Sequence, residues 1–80
     1  MDLPNIGNKL AENLEKAGIS TPDQLRAVGA EGAFLRIRAQ VDPMACLHQL
    51  EALAGAAAGV RKSLLPPERK AELKAWFHTL

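Results

Sequence analysis

The apolar residues of this chain recur every three or four positions, which is the spacing of one face of an amphipathic helix. Near the start, Ile6, Leu10 and Leu14 follow this spacing. Near the end, a longer apolar stripe consists of Leu73, Trp76, Phe77 and Leu80. Alanine and leucine dominate the apolar set, whereas threonine, valine and isoleucine are few, and this favours packed helices over sheets. The pattern therefore predicts an all-α fold.

Proline, glycine and capping residues divide the chain into about five short helices. Gly18 is typical of a helix C-terminus, and Thr21 followed by Pro22 is typical of a helix start. Asp42 followed by Pro43 repeats that start signal. The predicted helices cover residues 7–17, 22–29, 30–40, 42–59 and 66–80, with a connector at 60–65. We expect these helices to form one compact domain over residues 1–80. In the fourth helix, Met44, Cys46 and Leu47 are predicted to lie on the inner face.

Composition and charge narrow the class of protein. The chain is 48% hydrophobic and has one cysteine, Cys46, which excludes disordered and disulfide-scaffold proteins. The chain has ten basic and nine acidic residues, so its net charge of +1 gives only weak electrostatic steering towards nucleic acid. The N-terminus lacks the features of a signal peptide, and no apolar run is long enough to span a membrane. We therefore expect a soluble cytoplasmic protein.

The turn before the first predicted helix has the composition of a phosphate-binding loop. Residues 3–11 read LPNIGNKLA, in which Pro4 stiffens the turn and Gly7 lets a phosphate approach closely. The free N–H groups and positive dipole of a helix start bind anions without reading base sequence. A plain turn before an amphipathic helix has the same pattern, so both interpretations stay open. The candidate nucleic-acid-binding residues are Asn5, Ile6, Gly7, Asn8 and Lys9.

A related pattern returns 22 positions later, where residues 25–33 read LRAVGAEGA. Arg26 replaces the proline, and Glu31 stands where Lys9 stands in the first copy. A carboxylate at that place repels phosphate, so we interpret the second copy as structural. A weaker candidate for nucleic-acid contact is a basic rim of Arg36, Arg38, Arg61 and Lys62.

Other reactive side chains do not form a recognisable site. Cys46 and His48 are two positions apart and face different sides of a helix, so they do not chelate a metal together. We expect Cys46 to be a small core residue, and we predict no catalytic residue, metal or cofactor. Trp76 and Phe77 are expected in the core, with base stacking or an exposed protein-binding patch as the alternatives.

Taken from end to end, the chain resembles the C-terminal domain of the TfoX/Sxy competence regulators. The resemblance rests on the order of five blocks: LPNIG at 3–7, AGIST at 17–21, VGAEGA at 28–33, CLHQLEAL at 46–53 and LPPERKAEL at 65–73. It implies a bacterial, cytoplasmic helical domain with a helix-hairpin-helix-like first half, in which Asn5 replaces a glycine of the hairpin. In full-length regulators the domain follows an N-terminal α/β domain, which makes this chain a stand-alone copy or an excised fragment.

The resemblance and the hairpin together predict a non-enzymatic regulatory module. We expect a link to transcriptional regulation of DNA uptake, with weak nucleic-acid backbone contact through residues 4–9. The alternative is a protein–protein adaptor that uses the small-residue face of the fourth helix or the Trp76–Phe77 face of the last. The expected partners are DNA or a protein, with no membrane and no small-molecule substrate, and the oligomeric state stays unassigned.

Overall fold

Four α-helices and one 3-10 helix form the computed structural model, which describes residues 3–80. The elements are α1 (Asn8–Lys16), α2 (Pro22–Gln40), α3 (Leu47–Ala58), the 3-10 helix (Lys62–Leu64) and α4 (Pro67–Phe77). Met1 and Asp2, on which part of the prediction of no signal peptide rests, lie outside the described residues. Since residues 3–80 hold only helices and turns, the predicted all-α fold is confirmed.

Helix α2 contains the two helices that were predicted at 22–29 and 30–40. Gly29, with φ 82° and ψ 162°, is not helical and forms a kink at their junction. The predicted start of α2 at Thr21 and Pro22 is confirmed, because the Gln24 amide N–H donates to Thr21 Oγ1 at 3.1 Å. The Gln24 side chain accepts in return from the Thr21 N–H at 3.2 Å, which completes a capping box. The difference between about five predicted helices and four observed ones therefore lies at Gly29.

The predicted start of the fourth helix at residue 42 is wrong by five residues. Asp42 Oδ1 accepts from the Met44 amide at 2.9 Å and closes a short turn, so the acid does not cap a helix. As a result Met44 is 84% exposed. Cys46 takes the N-cap position of α3 and is exposed as well, so it is not the core residue that was expected.

The end of α1 is a Schellman motif, which turns the chain towards the core. Gly18 adopts φ 84°, where a side chain would be strained. Its N–H donates to the Glu15 carbonyl at 3.0 Å, and the Ile19 N–H donates to the Leu14 carbonyl at 2.8 Å. Ile19 is fully buried in consequence.

The core lies between α2 and α3, and the other helices close over it. Phe34 is fully buried, and its ring meets the rings of Trp76 at 6.1 Å and Phe77 at 5.8 Å in edge-on geometry. Both partners are half-buried, so the expected core role of Trp76 and Phe77 is confirmed. The other large, fully buried apolar side chains are Leu14, Ile19, Leu25, Ile37, Leu50, Leu53 and Leu73.

A bidentate ion pair joins α2 to α4. The Arg69 guanidinium donates to both carboxylate oxygens of Glu31, at 2.8 and 2.9 Å, and also binds Glu72. This hydrogen bonding, opposed by partial burial, holds the pKa of Glu31 below its ordinary value. Glu31 therefore ties two helices together, which supports a structural role for the second copy of the hairpin pattern.

The side chain of Asn5 connects the N-terminal turn to the segment after α3. Its Nδ2 donates to the Val60 carbonyl at 3.0 Å, and its Oδ1 accepts from the Lys62 amide at 2.9 Å. We call this pair of hydrogen bonds the Asn5 clamp. It rests on Gly55 of α3, where an added Cβ would lie 2.5 Å from Asn5 Nδ2 and 2.8 Å from the Val60 carbonyl oxygen. Only glycine at position 55 allows this close approach.

The Glu31–Arg69 pair gives a pH-dependent contribution to stability. We expect Glu31→Gln to lower the free energy of unfolding by about 1 kcal/mol at neutral pH, because a part-buried charged pair is lost. Since the folded-state pKa of Glu31 is depressed, this contribution is present above about pH 4.3, the usual pKa of glutamate. It is lost as the pH falls through the lower folded-state value.

Urea unfolding of both proteins from neutral to acidic pH measures this difference. The exposed Glu15 has no ion pair within residues 3–80, so Glu15→Gln is the matched control and should change little. A stability difference between Glu31→Gln and the parent that does not shrink in acid would contradict the assignment.

Two substitutions of Asn5 separate the contribution of the clamp to stability from the contribution of the positive φ. We expect Asn5→Gly, which keeps the positive φ, to lose about 1–2 kcal/mol through the two missing hydrogen bonds. Asn5→Ala should lose roughly 1 kcal/mol more because alanine is strained at that φ. Denaturant unfolding measures both, with the exposed Asn8→Ala as the control. Equal stability of Asn5→Gly and the parent protein would argue against the clamp.

Candidate functional site

The predicted hairpin is a tight turn with a left-handed residue at its third position. The Ile6 N–H donates to the Leu3 carbonyl at 3.3 Å, and Pro4 and Asn5 occupy the two central positions. Asn5 has φ 69°, which together with Pro4 matches a type II turn. Asn5, which replaces a glycine of the hairpin, therefore adopts the left-handed conformation that glycine takes easily and asparagine tolerates. Leu3 and Ile6 are half-buried against the core, so they fix the turn on the domain.

The turn leads directly into the exposed N-terminus of α1. Gly7 is the N-cap residue, and the first helical bond runs from the Ala11 N–H to the Gly7 carbonyl at 2.9 Å. Within residues 3–80 no side chain caps this end, and the first turn carries no acidic residue. The N–H groups at the start of α1 therefore face solvent without helical partners, beside the exposed residues Gly7, Asn8 and Lys9.

Gly7 is not required by the local backbone. Its φ of −84° and ψ of 179° are extended values that any residue adopts. An added Cβ would meet no atom within 4 Å, so it would project into open space. The absence of a side chain here leaves the surface over the helix N-terminus unobstructed.

Lys9 has one acidic neighbour on its own helix. Glu12 lies three positions further on and forms an ion pair with Lys16 at 3.0 Å. The hydrogen bond and charge of Lys16, with a smaller effect from the charge of Lys9, hold the pKa of Glu12 below its ordinary value. The carboxylate is therefore directed mainly to Lys16 and only partly offsets the charge of Lys9.

The Asn5 clamp brings half of the predicted basic rim to the hairpin. Arg61 and Lys62 are exposed, and the Lys62 amide and Val60 carbonyl on either side of Arg61 bond directly to Asn5. Arg36 and Arg38 lie on α2 instead, and no hydrogen bond or ion pair among residues 3–80 links them to the hairpin. The four residues of the predicted rim therefore come from two elements, and their meeting in one surface stays a prediction.

Sequence reasoning missed that the Asn5 side chain is engaged inside the domain. Each polar atom of its amide makes a hydrogen bond to the connector, so the side chain is held against the domain. The available signal was Gly55, a glycine inside a predicted helix, which marks a close approach. The sequence did not indicate which residue approaches Gly55, because Asn5 and Val60 are 55 positions apart.

The two helix faces predicted as alternative protein-binding surfaces pack largely against other parts of the domain. On α3 the small residues Ala52, Ala54, Gly55 and Ala56 are buried. The Trp76 and Phe77 rings pack against Phe34.

The remaining reactive side chains stay separate. Cys46 is exposed and unpaired with another cysteine, and His48 Nδ1 lies 3.9 Å from the Glu51 carboxylate. Across residues 3–80 there is no cluster of three or more His, Cys, Asp or Glu side chains suited to a metal ion. None of the helices in that range is both long and apolar enough to cross a membrane.

The chain matches known proteins along nearly its whole length. The family model described as the TfoX C-terminal domain matches residues 1–77. Protein Sxy of Escherichia coli strain K12 is 35% identical over 79 residues, which cover 99% of this chain but 37% of Sxy. The chain therefore spans little more than a third of that relative.

Two crystal structures of Listeria monocytogenes proteins have the same fold. An uncharacterized protein in a triclinic form is 47% identical with a TM-score of 0.91, covering 94% of this chain and 84% of that one. A protein of unknown function in a tetragonal form is 45% identical with a TM-score of 0.93, covering 98% and 95%. Given the family match over residues 1–77 and the relationship to Sxy, the chain belongs to the TfoX C-terminal domain family.

Proposed function

We propose that this chain is a non-enzymatic regulatory module that contacts nucleic-acid backbone through the hairpin at residues 4–9, in the manner of a helix-hairpin-helix unit. The observation that carries the proposal is the exposed, uncapped N-terminus of α1 with Gly7 and Lys9 beside it. Free N–H groups and the helix dipole attract a phosphate at such an end.

The residue types at this helix start favour an anion over a purely structural role. Glycine is not needed for the backbone at position 7, yet its lack of a side chain keeps the N–H groups accessible. Lys9 lies in the first turn, where a cation is unfavourable for the helix dipole. A bound phosphate reverses that cost, because it is attracted by both the dipole and the ammonium group.

The Asn5 clamp brings a segment with positively charged residues next to the hairpin. It bonds the turn to the segment carrying Arg61 and Lys62, and Lys70 Nζ reaches the neighbouring Ser63 carbonyl at 3.5 Å. The proposal relies on this local positive charge, because the net charge of the chain is only +1. The contact would be weak and independent of base sequence, since only phosphates are reached.

Membership of the TfoX C-terminal domain family links the proposal to competence regulation. The relative Sxy contains this domain as 37% of its length, so the role of the whole protein comes to this chain only as part of the proposal. We infer that the chain serves transcriptional regulation of DNA uptake.

Binding to duplex DNA tests the hairpin. We expect anisotropy of a labelled duplex of about 20 base pairs to report binding that weakens with salt, with a slope of roughly −0.9 per phosphate neutralised. Lys9→Glu and Lys62→Glu should each weaken binding about tenfold at low salt and reduce the slope by about one. Gly7→Ala should weaken binding with only a small loss of stability.

Lys74→Glu is the matched control. Lys74 is exposed on α4 and has no ion pair among residues 3–80, so the variant makes the same charge change without altering the hairpin surface. Lys9→Glu places an acid at a helix N-terminus and should remain folded, which circular dichroism checks. Undetectable binding at low salt, or equal effects of Lys9→Glu and Lys74→Glu, would refute the hairpin contact.

A further inference from the structure

A shallow apolar groove lies on the second half of α2 and shares no lining residue with the hairpin. Its lining residues are Leu35, Arg38, Ala39 and Leu80. Leu35, Arg38 and Ala39 are at helical spacings of three and four, so they form one face of α2. Leu35 is 44% exposed and Leu80 is 46% exposed, which is unusual in a domain that buries most of its large apolar side chains.

The groove is bordered by positive charge that the fold does not neutralise. Arg38 lines it, and Arg36 lies three positions before Ala39 on the same helix. Neither arginine forms an ion pair or side-chain hydrogen bond among residues 3–80. By contrast, Arg26 is paired with Asp23 and Arg69 with Glu31.

This combination determines the kind of partner that fits. An exposed apolar strip flanked by two arginines complements a surface with apolar side chains at its centre and carboxylates at its edge. A second copy fits poorly in a symmetric contact, because the same patch on both subunits would set arginines against arginines. An amphipathic helix with acidic flanks satisfies both the apolar strip and the charges.

We propose that the groove lined by Leu35, Arg38, Ala39 and Leu80 docks an acidic amphipathic helix of a partner protein. The apolar side chains of the partner lie on Leu35, Ala39 and Leu80, and its carboxylates bind Arg36 and Arg38. This site is separate from the hairpin and does not depend on nucleic-acid binding. It lies outside the buried α3 face, and of the predicted stripe of Leu73, Trp76, Phe77 and Leu80 only Leu80 lines it.

Two designed peptides of about 18 residues serve as probes. Both carry leucines at positions i, i+3, i+4 and i+7, and they differ only in having glutamate or lysine at the flanking positions. We expect the acidic peptide to bind at least tenfold more tightly than the basic one, a difference of ~1.4 kcal/mol. Amide chemical-shift changes on adding the acidic peptide should centre on Leu35, Arg38, Ala39 and Leu80.

Two variants locate the contact, and a third is the matched control. Leu35→Ser and Arg38→Glu should each weaken binding of the acidic peptide about fivefold or more, ~1 kcal/mol. Both alter exposed or half-exposed side chains, so the fold should be kept. Leu64 is 69% exposed on the 3-10 helix, outside the groove, and Leu64→Ser should bind as the parent does.

Three outcomes would overturn the proposal. The first is equal binding of the acidic and basic peptides, or shift changes centred elsewhere. The second is a dimer in sedimentation that Leu35→Ser dissociates, which would assign the groove to a second copy. The third is loss of duplex DNA binding in Arg38→Glu without binding of the acidic peptide, which would assign the arginines to phosphates.

Discussion

The Asn5 amide is the contact on which the arrangement of the candidate site depends. It joins a turn near the N-terminus to the Val60 carbonyl and the Lys62 amide, 55 and 57 positions away, with hydrogen bonds of 3.0 and 2.9 Å. The contact needs both a left-handed Asn5 and the missing side chain at Gly55. Because of it, the start of α1 and the Arg61–Lys62 segment belong to one surface. Leu3, Ile6 and Val60 of these segments pack against the core.

The two copies of the hairpin pattern have separate uses. In the first, Gly7 precedes a helix whose N-terminus is exposed, and Lys9 stays at the surface. In the second, Gly29 lies inside α2, and Glu31 forms a bidentate pair with Arg69 of α4. The same spacing therefore precedes an uncapped, exposed helix N-terminus in one place and an ion pair between two helices in the other. The charge two positions after each glycine matches this division, with Lys9 after Gly7 and Glu31 after Gly29.

Local signals predicted most helix ends because their partners are a few residues away. The Thr21–Gln24 capping box and the hydrogen bond from Ile19 to Leu14 are such cases. The helix start predicted from Asp42 and Pro43 was wrong, because the same residue types also form turns. Here Asp42 closes a turn, and Ala45 and Leu50 after it are buried in the core. The sequence predicted a turn before α1, whereas the hydrogen bonds of the Asn5 side chain to a distant segment were not predictable from it.

The sequence by itself determined the all-α class, the family, the left-handed turn at Asn5 and the apolar stripe that places Trp76 and Phe77 against the core. These features follow from periodicity and from interactions within one or two turns of chain. Tertiary structure decided which charges are neutralised and which remain available. It paired Glu31 with Arg69, set Arg61 and Lys62 beside the hairpin, and left Arg38 at an open groove on α2. Such outcomes depend on contacts between distant segments, which helical spacing alone does not encode.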